Sequence, residues 1–115
     1  MDLNTFLQNL QSKPDSIDFS DTMSIIDKLY HFTPCEFKNG NTVNEAGQNN
    51  GSCKLFAFAS MHNLSEQETL ACFGTYYRDD VLNNPAGDDH QNIRNFMQHG
   101  WNGIEFSAMP LKPVS

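Results

Sequence analysis

Asn44-Glu45-Ala46-Gly47-Gln48-Asn49-Asn50-Gly51-Ser52-Cys53-Lys54-Leu55-Phe56-Ala57-Phe58-Ala59 is the stretch on which the fold turns. Its first half is polar and broken by glycine, so it supplies turns and side-chain hydrogen bonds but no core. Its second half is apolar on most sides, the pattern of a buried central helix. Ser52 is a good N-cap for that helix, which is expected to run to about Met61. The junction sets a thiol, Cys53, in a first helical turn, where unpaired N–H groups and the helix dipole favour a thiolate.

Working outward, Phe6, Leu7 and Leu10 form one helical stripe that Pro14 closes. Asp18 or Ser20 caps a second helix carrying Met23, Ile26 and Tyr30, ended by Thr33-Pro34. Asn39-Gly40 between two short semi-alternating segments signals a type I′ hairpin. Ser65-Glu66-Gln67-Glu68 has capping-box spacing and opens a helix expected to reach Leu82, with Gly74 inside its stripe. Asp88 or Asp89 caps a further helix with Ile93, Phe96 and Met97, which Gly100 ends. Trp101 to Phe106 reads as a short strand or extended arm, and Ala108 to Ser115 as irregular tail. The expectation is a mainly α fold: a single compact domain, 1-115, of about five helices with at most a small β element.

Net charge is −7, from 14 acidic and 7 basic residues, which argues against nucleic-acid partners and anionic membrane surfaces. No apolar run approaches the roughly 20 residues of a membrane helix, and Met1-Asp2-Leu3-Asn4 has no secretory pattern. Cys35, Cys53 and Cys72 cannot all pair within one chain, which points to reduced thiols and a cytoplasmic setting. No cofactor motif is present. His31, His62, His90 and His99 stand apart without metal-ligand spacing, so no metal is expected.

Three readings of the polar segments compete. In the first, a small Cys–His hydrolase uses Cys53 as nucleophile, His90 as base, Asp88, Asp89 or Asn92 as its orienter and Gln48 at the oxyanion, an echo of the Gly-Ser-Cys neighbourhood of papain-like proteases. In the second, the polar side chains only cap helices and tie turns. In the third, Asn44, Glu45, Asn49, Ser52, Asn92, Arg78 and Arg94 bind without chemistry, the arginines clamping an anionic group. The first and third both require the 44–54 and 88–94 segments to meet.

Several segments, in order, carry a resemblance: Phe37-Lys38-Asn39-Gly40, Asn44 to Asn49, Gly51 to Ala59, Thr69-Leu70, Phe73-Gly74, Tyr76-Tyr77-Arg78-Asp79, Asp89-His90-Gln91-Asn92-Ile93-Arg94-Asn95-Phe96 and Gly100-Trp101. Together they resemble the HopJ type III effector family, also called HopPmaJ, over nearly the whole chain. The resemblance implies a bacterial protein, cytoplasmic before delivery to a host cell by type III secretion. It implies no established activity, cofactor or catalytic residue. The partners to expect are a host or bacterial protein or a small anionic ligand.

Overall fold

The structure, a computed structural model, describes residues 1–114. It corrects the mainly α expectation. The fold is mixed α/β, 54% helix and 13% strand, and its strands form two separate sheets. In chain order the elements are α1 (Leu3–Ser12), a 3-10 turn (Pro14–Ser16), α2 (Phe19–Leu29), β1 (Tyr30–Phe32), β2 (Phe37–Asn39), β3 (Thr42–Asn44), α3 (Asn50–Met61), α4 (Glu66–Ala71), a π-helical turn (Tyr76–Val81), α5 (Gln91–His99), a 3-10 turn (Gly100–Gly103), β4 (Ile104–Phe106) and β5 (Leu111–Pro113).

Each strand is three residues long, and β1 and β5 are too short for a period-two pattern to show. The partners also lie far apart in sequence. β1 and β5 pair antiparallel, Tyr30 opposite Pro113 and Phe32 opposite Leu111. In the other sheet β2 is central, flanked by β3 and β4, with Phe37 opposite both Asn44 and Phe106. Tyr30 to Phe32 is therefore strand where helix was expected, and the supposed tail supplies β5; Ser115 lies outside the described residues. The hairpin connecting β2 and β3 turns through Gly40-Asn41. Gly40 has φ +61° and Asn41 is not among the residues with positive φ, the signature of a II′ turn rather than I′.

The core forms around α3, whose Cys53, Leu55, Phe56, Ala57, Phe58 and Ala59 are all buried. Phe56 is the hub, with ring centroids 5.5 Å from Phe73, 5.0 Å from Phe96 and 6.2 Å from Phe37. Phe6 and Leu10 of α1 join the same apolar cluster, as do Ile25 and Ile26 of α2. Full burial of each such side chain is worth about 1.5–3 kcal/mol.

Two caps match their sequence signals. Asp18 and Asp21 form a reciprocal box at the start of α2, and Ser65 and Glu68 do so at α4. The helix begun at Ser65 stops far short of Leu82. At Gly74 φ is +62°, and a Cβ there would stand 2.7 Å from the Phe19 backbone nitrogen and 2.8 Å from Asp18 Cα. The chain thus turns left-handed at the only residue type that lets the start of α2 approach so closely. It resumes as the π-helical turn.

Candidate functional site: a cleft between two helix starts and an aromatic belt

Both helices that bound the cleft begin in an unexpected way. α3 starts at Asn50, after Asn49 at φ 52°, ψ 47°; Ser52 is its third residue and not its cap. α5 starts at Gln91, after His90 at φ 50°, ψ 49°, so neither Asp88 nor Asp89 caps it. Both entry residues are left-handed, a region that Asn and His enter more readily than most residues. Neither side chain bonds its own helix. These side chains are free for other contacts.

Asn49 uses that freedom in a buried amide network. Its Nδ2 donates to Asn44 Oδ1 at 2.7 Å. Asn44 and Asn92 then exchange hydrogen bonds, Nδ2 of Asn44 to Oδ1 of Asn92 at 3.2 Å and Nδ2 of Asn92 to Oδ1 of Asn44 at 3.1 Å. Asn39 Nδ2 donates to Oδ1 and to the backbone carbonyl of Asn92, at 3.0 and 2.8 Å. Asn95 adds bonds to the Asn39 carbonyl and to Thr42 Oγ1. Asn39, Asn44 and Asn92 are all buried. The network ties the β2–β3 hairpin, the start of α3 and the start of α5 to one another, so the 44–54 and 88–94 segments lie side by side. Asn39 Oδ1 is the one fully buried side-chain polar atom without a partner among the described residues.

In front of the network opens a cavity of about 220 Å³ lined by Phe19, Asn49, Gly51, Ser52, Phe73, Tyr76, His90, Asn92 and Ile93. Its aromatic side is a continuous belt. Phe73 stacks on Phe19 at 6.2 Å, Phe19 meets Tyr76 edge-on at 5.3 Å, and Tyr76 meets the His90 imidazole at 5.3 Å. The His90 Nε2 lies 3.0 Å from Asp80 Oδ2 and holds the end of the belt against the π-helical turn. Gly51 is required by this packing, since a Cβ there would come within 2.8 Å of Phe19 Cζ.

Of the residues singled out in the sequence, Asn49, Ser52, His90 and Asn92 line the cavity, and Asn44 lies behind it in the amide network. The others do not line the cavity. Arg78 donates to the Ile17 carbonyl at 2.9 Å and faces Asp18 at 3.6 Å, beside a different cavity. Arg94 is committed to the loop before α5, bonding Asn84 O at 2.8 Å and Asp89 Oδ1 at 2.6 Å. Its guanidinium holds the Asp89 carboxyl below the ordinary carboxylate value. Gln48 accepts from the Glu45 backbone N–H at 3.2 Å, closing the turn that leads to α3.

Cys53 is also elsewhere. It is 1% exposed, and burial, reinforced by the neighbouring Cys35 thiol, pushes its pKa up to about 12. A rise from the ordinary 9.0 to about 12 corresponds to roughly 4 kcal/mol, whereas the helix dipole supplies about 0.3–1 kcal/mol, so desolvation wins and the thiol stays protonated. Among the described residues no hydrogen bond joins Cys53 to His90, whose ring nitrogen is paired with Asp80. The nucleophile–base geometry of the Cys–His reading is not formed, and Asp89 serves Arg94.

Phe19, Phe73, Tyr76 and Ile93 were not marked as site residues because aromatic and aliphatic residues at helical spacing look like core, and Asp80 enters only through its contact with His90. The recurrence of asparagine at 39, 44 and 49, five residues apart, was the legible trace of the network.

A comparison with curated proteins finds no match. Among solved structures, the chain is similar to one titled "Crystal structure of unknown function protein VPA0580", at 53% identity and a TM-score of 0.96, over 98% of this chain and 94% of that one. The model of the HopJ type III effector protein family matches residues 3–111. The chain therefore belongs to the HopJ type III effector family.

Proposed function

We propose that this HopJ-family chain is a binding protein. Its cleft, set between the starts of α3 and α5 and the aromatic belt, would hold a small ligand or a side chain of a bacterial or host protein. One observation carries the reading. Three buried asparagines, Asn39, Asn44 and Asn92, together with the exposed Asn49, fix the starts of two helices beside an open cavity. Buried amide networks add little net stability against an apolar core, but they define position sharply. Rigid elements with adaptable polar groups at their tips suit recognition. The family name supports a setting in a bacterial cytoplasm, followed by type III delivery.

Catalysis through Cys53 has no such support, given its burial. The test is solvent mapping by NMR. The ¹⁵N-labelled chain is titrated with acetate, acetamide, phenol and isopropanol. The expected result is that amide shifts concentrate at Gly51, Ser52, Tyr76, His90 and Asn92. Shifts spread evenly over the surface, or concentrated at another cavity, would refute the reading.

A further inference from the structure

We infer that the cleft takes a neutral, flat ring compound with a mixed donor–acceptor edge, the chemistry of a nucleobase or an aromatic carboxamide. The inference rests on the binding reading above and names its ligand class.

The two walls of the cleft differ in kind. The belt Phe73–Phe19–Tyr76–His90 offers aromatic surface in unbroken sequence, with successive centroids 6.2, 5.3 and 5.3 Å apart. Aromatic side chains recognise flat rings by stacking, with little regard to ring identity. Tyr76 is 43% exposed, a large ring left open beside the cavity instead of packed into the core.

The facing wall is made of amides and a hydroxyl. After its bond to Asn44, the Asn49 side chain keeps its carbonyl oxygen and one N–H. Asn92 Oδ1 already accepts twice, from Asn39 and Asn44, but its Nδ2 donates once and retains one N–H. The Ser52 hydroxyl can give or accept. This wall thus carries both donors and acceptors, as the edge of a nucleobase or a carboxamide does.

Charge selects against phosphorylated forms of the same rings. Arg94 is bound to Asp89 and loop carbonyls, and Arg78 to Ile17 and Asp18. Neither cation lines the cavity. Asp80 sits against His90 at 3.0 Å, Asp89 Oδ2 lies 4.0 Å from the same nitrogen, and the whole chain carries −7. These carboxylates disfavour a multiply charged phosphate at this mouth. The cavity, at about 220 Å³, is smaller than the typical 300–1,000 Å³ of a site for drug-sized ligands and suits a single ring system.

The test titrates the full ¹⁵N-labelled chain with four probes: adenine, nicotinamide, cyclohexanecarboxamide and AMP. Adenine and nicotinamide should give saturable shifts at Gly51, Ser52, Tyr76 and His90. Cyclohexanecarboxamide, which has the amide without the flat ring, should bind roughly tenfold or more weakly. AMP should bind no more tightly than adenine. Tyr76→Ala should weaken adenine roughly tenfold while leaving the melting temperature in place. The inference is overturned if neither ring compound saturates, if the saturated amide binds as well, or if AMP binds more tightly than adenine. Acetamide or acetate shifts that map to the cleft while both rings fail would remove this inference and leave the binding reading standing. If nothing maps there, both fall.

Discussion

Replacing Asn92 by Ala should be among the costlier single polar truncations in this molecule. Asn92 is 8% exposed, and its side chain takes part in three hydrogen bonds. Truncation would leave Asn44 Nδ2 without its only amide partner. Asn44 Oδ1 would keep Asn49, and Asn39 Nδ2 would keep the Asn92 backbone carbonyl. One buried donor is therefore orphaned outright and two other groups are half satisfied. An orphaned buried polar group costs about 1–3 kcal/mol, and the small void left by the side chain adds to this, so the expected loss is about 2–3 kcal/mol. With a urea m-value of about 1–3 kcal/mol/M, the midpoint should fall by about 0.7–3 M. A double-mutant cycle with Asn44→Ala isolates the exchange between the two amides, for which about 1–2 kcal/mol of coupling is expected. A loss below about 0.5 kcal/mol for Asn92→Ala, or additivity in the cycle, would mean that the network does not hold the two helix starts.

Gln48→Ala, by contrast, removes a contact made in an exposed turn and should cost under about 0.5 kcal/mol in the same urea melts. Gly74→Ala should destabilise by at least about 2 kcal/mol, because it combines a left-handed backbone with a clash against the Asp18–Phe19 backbone; a near-neutral thermal melt would contradict the close approach. Iodoacetamide at pH 8 should leave Cys53 and Cys72, both with pKa pushed up to about 12, unmodified until the chain unfolds, as read by peptide mass. The same two thiols make the fold alkali-sensitive. They hold their protons when folded and lose them near pH 9 when unfolded, so stability should fall as pH rises from about 9 to 12, by about 1 kcal/mol per thiol at pH 10. Flat stability over that range, followed by urea midpoints, would show the thiols to be solvated.

The sequence was most legible where local chemistry acts alone. Ser65 and Glu68, or Asp18 and Asp21, announce a helix start because the two side chains and two N–H groups concerned lie within one turn. Asn49 and His90 start helices through a left-handed backbone conformation that their residue types favour only weakly. The Asn39-Gly40 turn and the alternation in Trp101 to Phe106 announced β2, β3 and β4, but β1 and β5 were hidden for a different reason. Three residues cannot display an alternation, and Tyr30 faces Pro113 only once the whole chain is in place. The meeting of the 44–54 and 88–94 segments was readable as polarity that needed a partner. The commitment of Arg78 and Arg94 to backbone carbonyls was not, because an arginine reads as free charge until its neighbours are known.

The pairing of β1 with β5 has a consequence for how the molecule fails. β1 belongs to a two-stranded sheet and, among the described residues, has no other strand beside it. If Leu111–Pro113 peels away, the N–H and C=O groups of Tyr30 to Phe32 lose their partners and become an open edge beside buried apolar surface. Such an edge is a template for a strand from another molecule. The nearest suitable strand is the β5 of a second copy, which has the matching register. Crowded, partly opened molecules would therefore exchange their final strands before they aggregate at random, giving domain-swapped dimers and open chains.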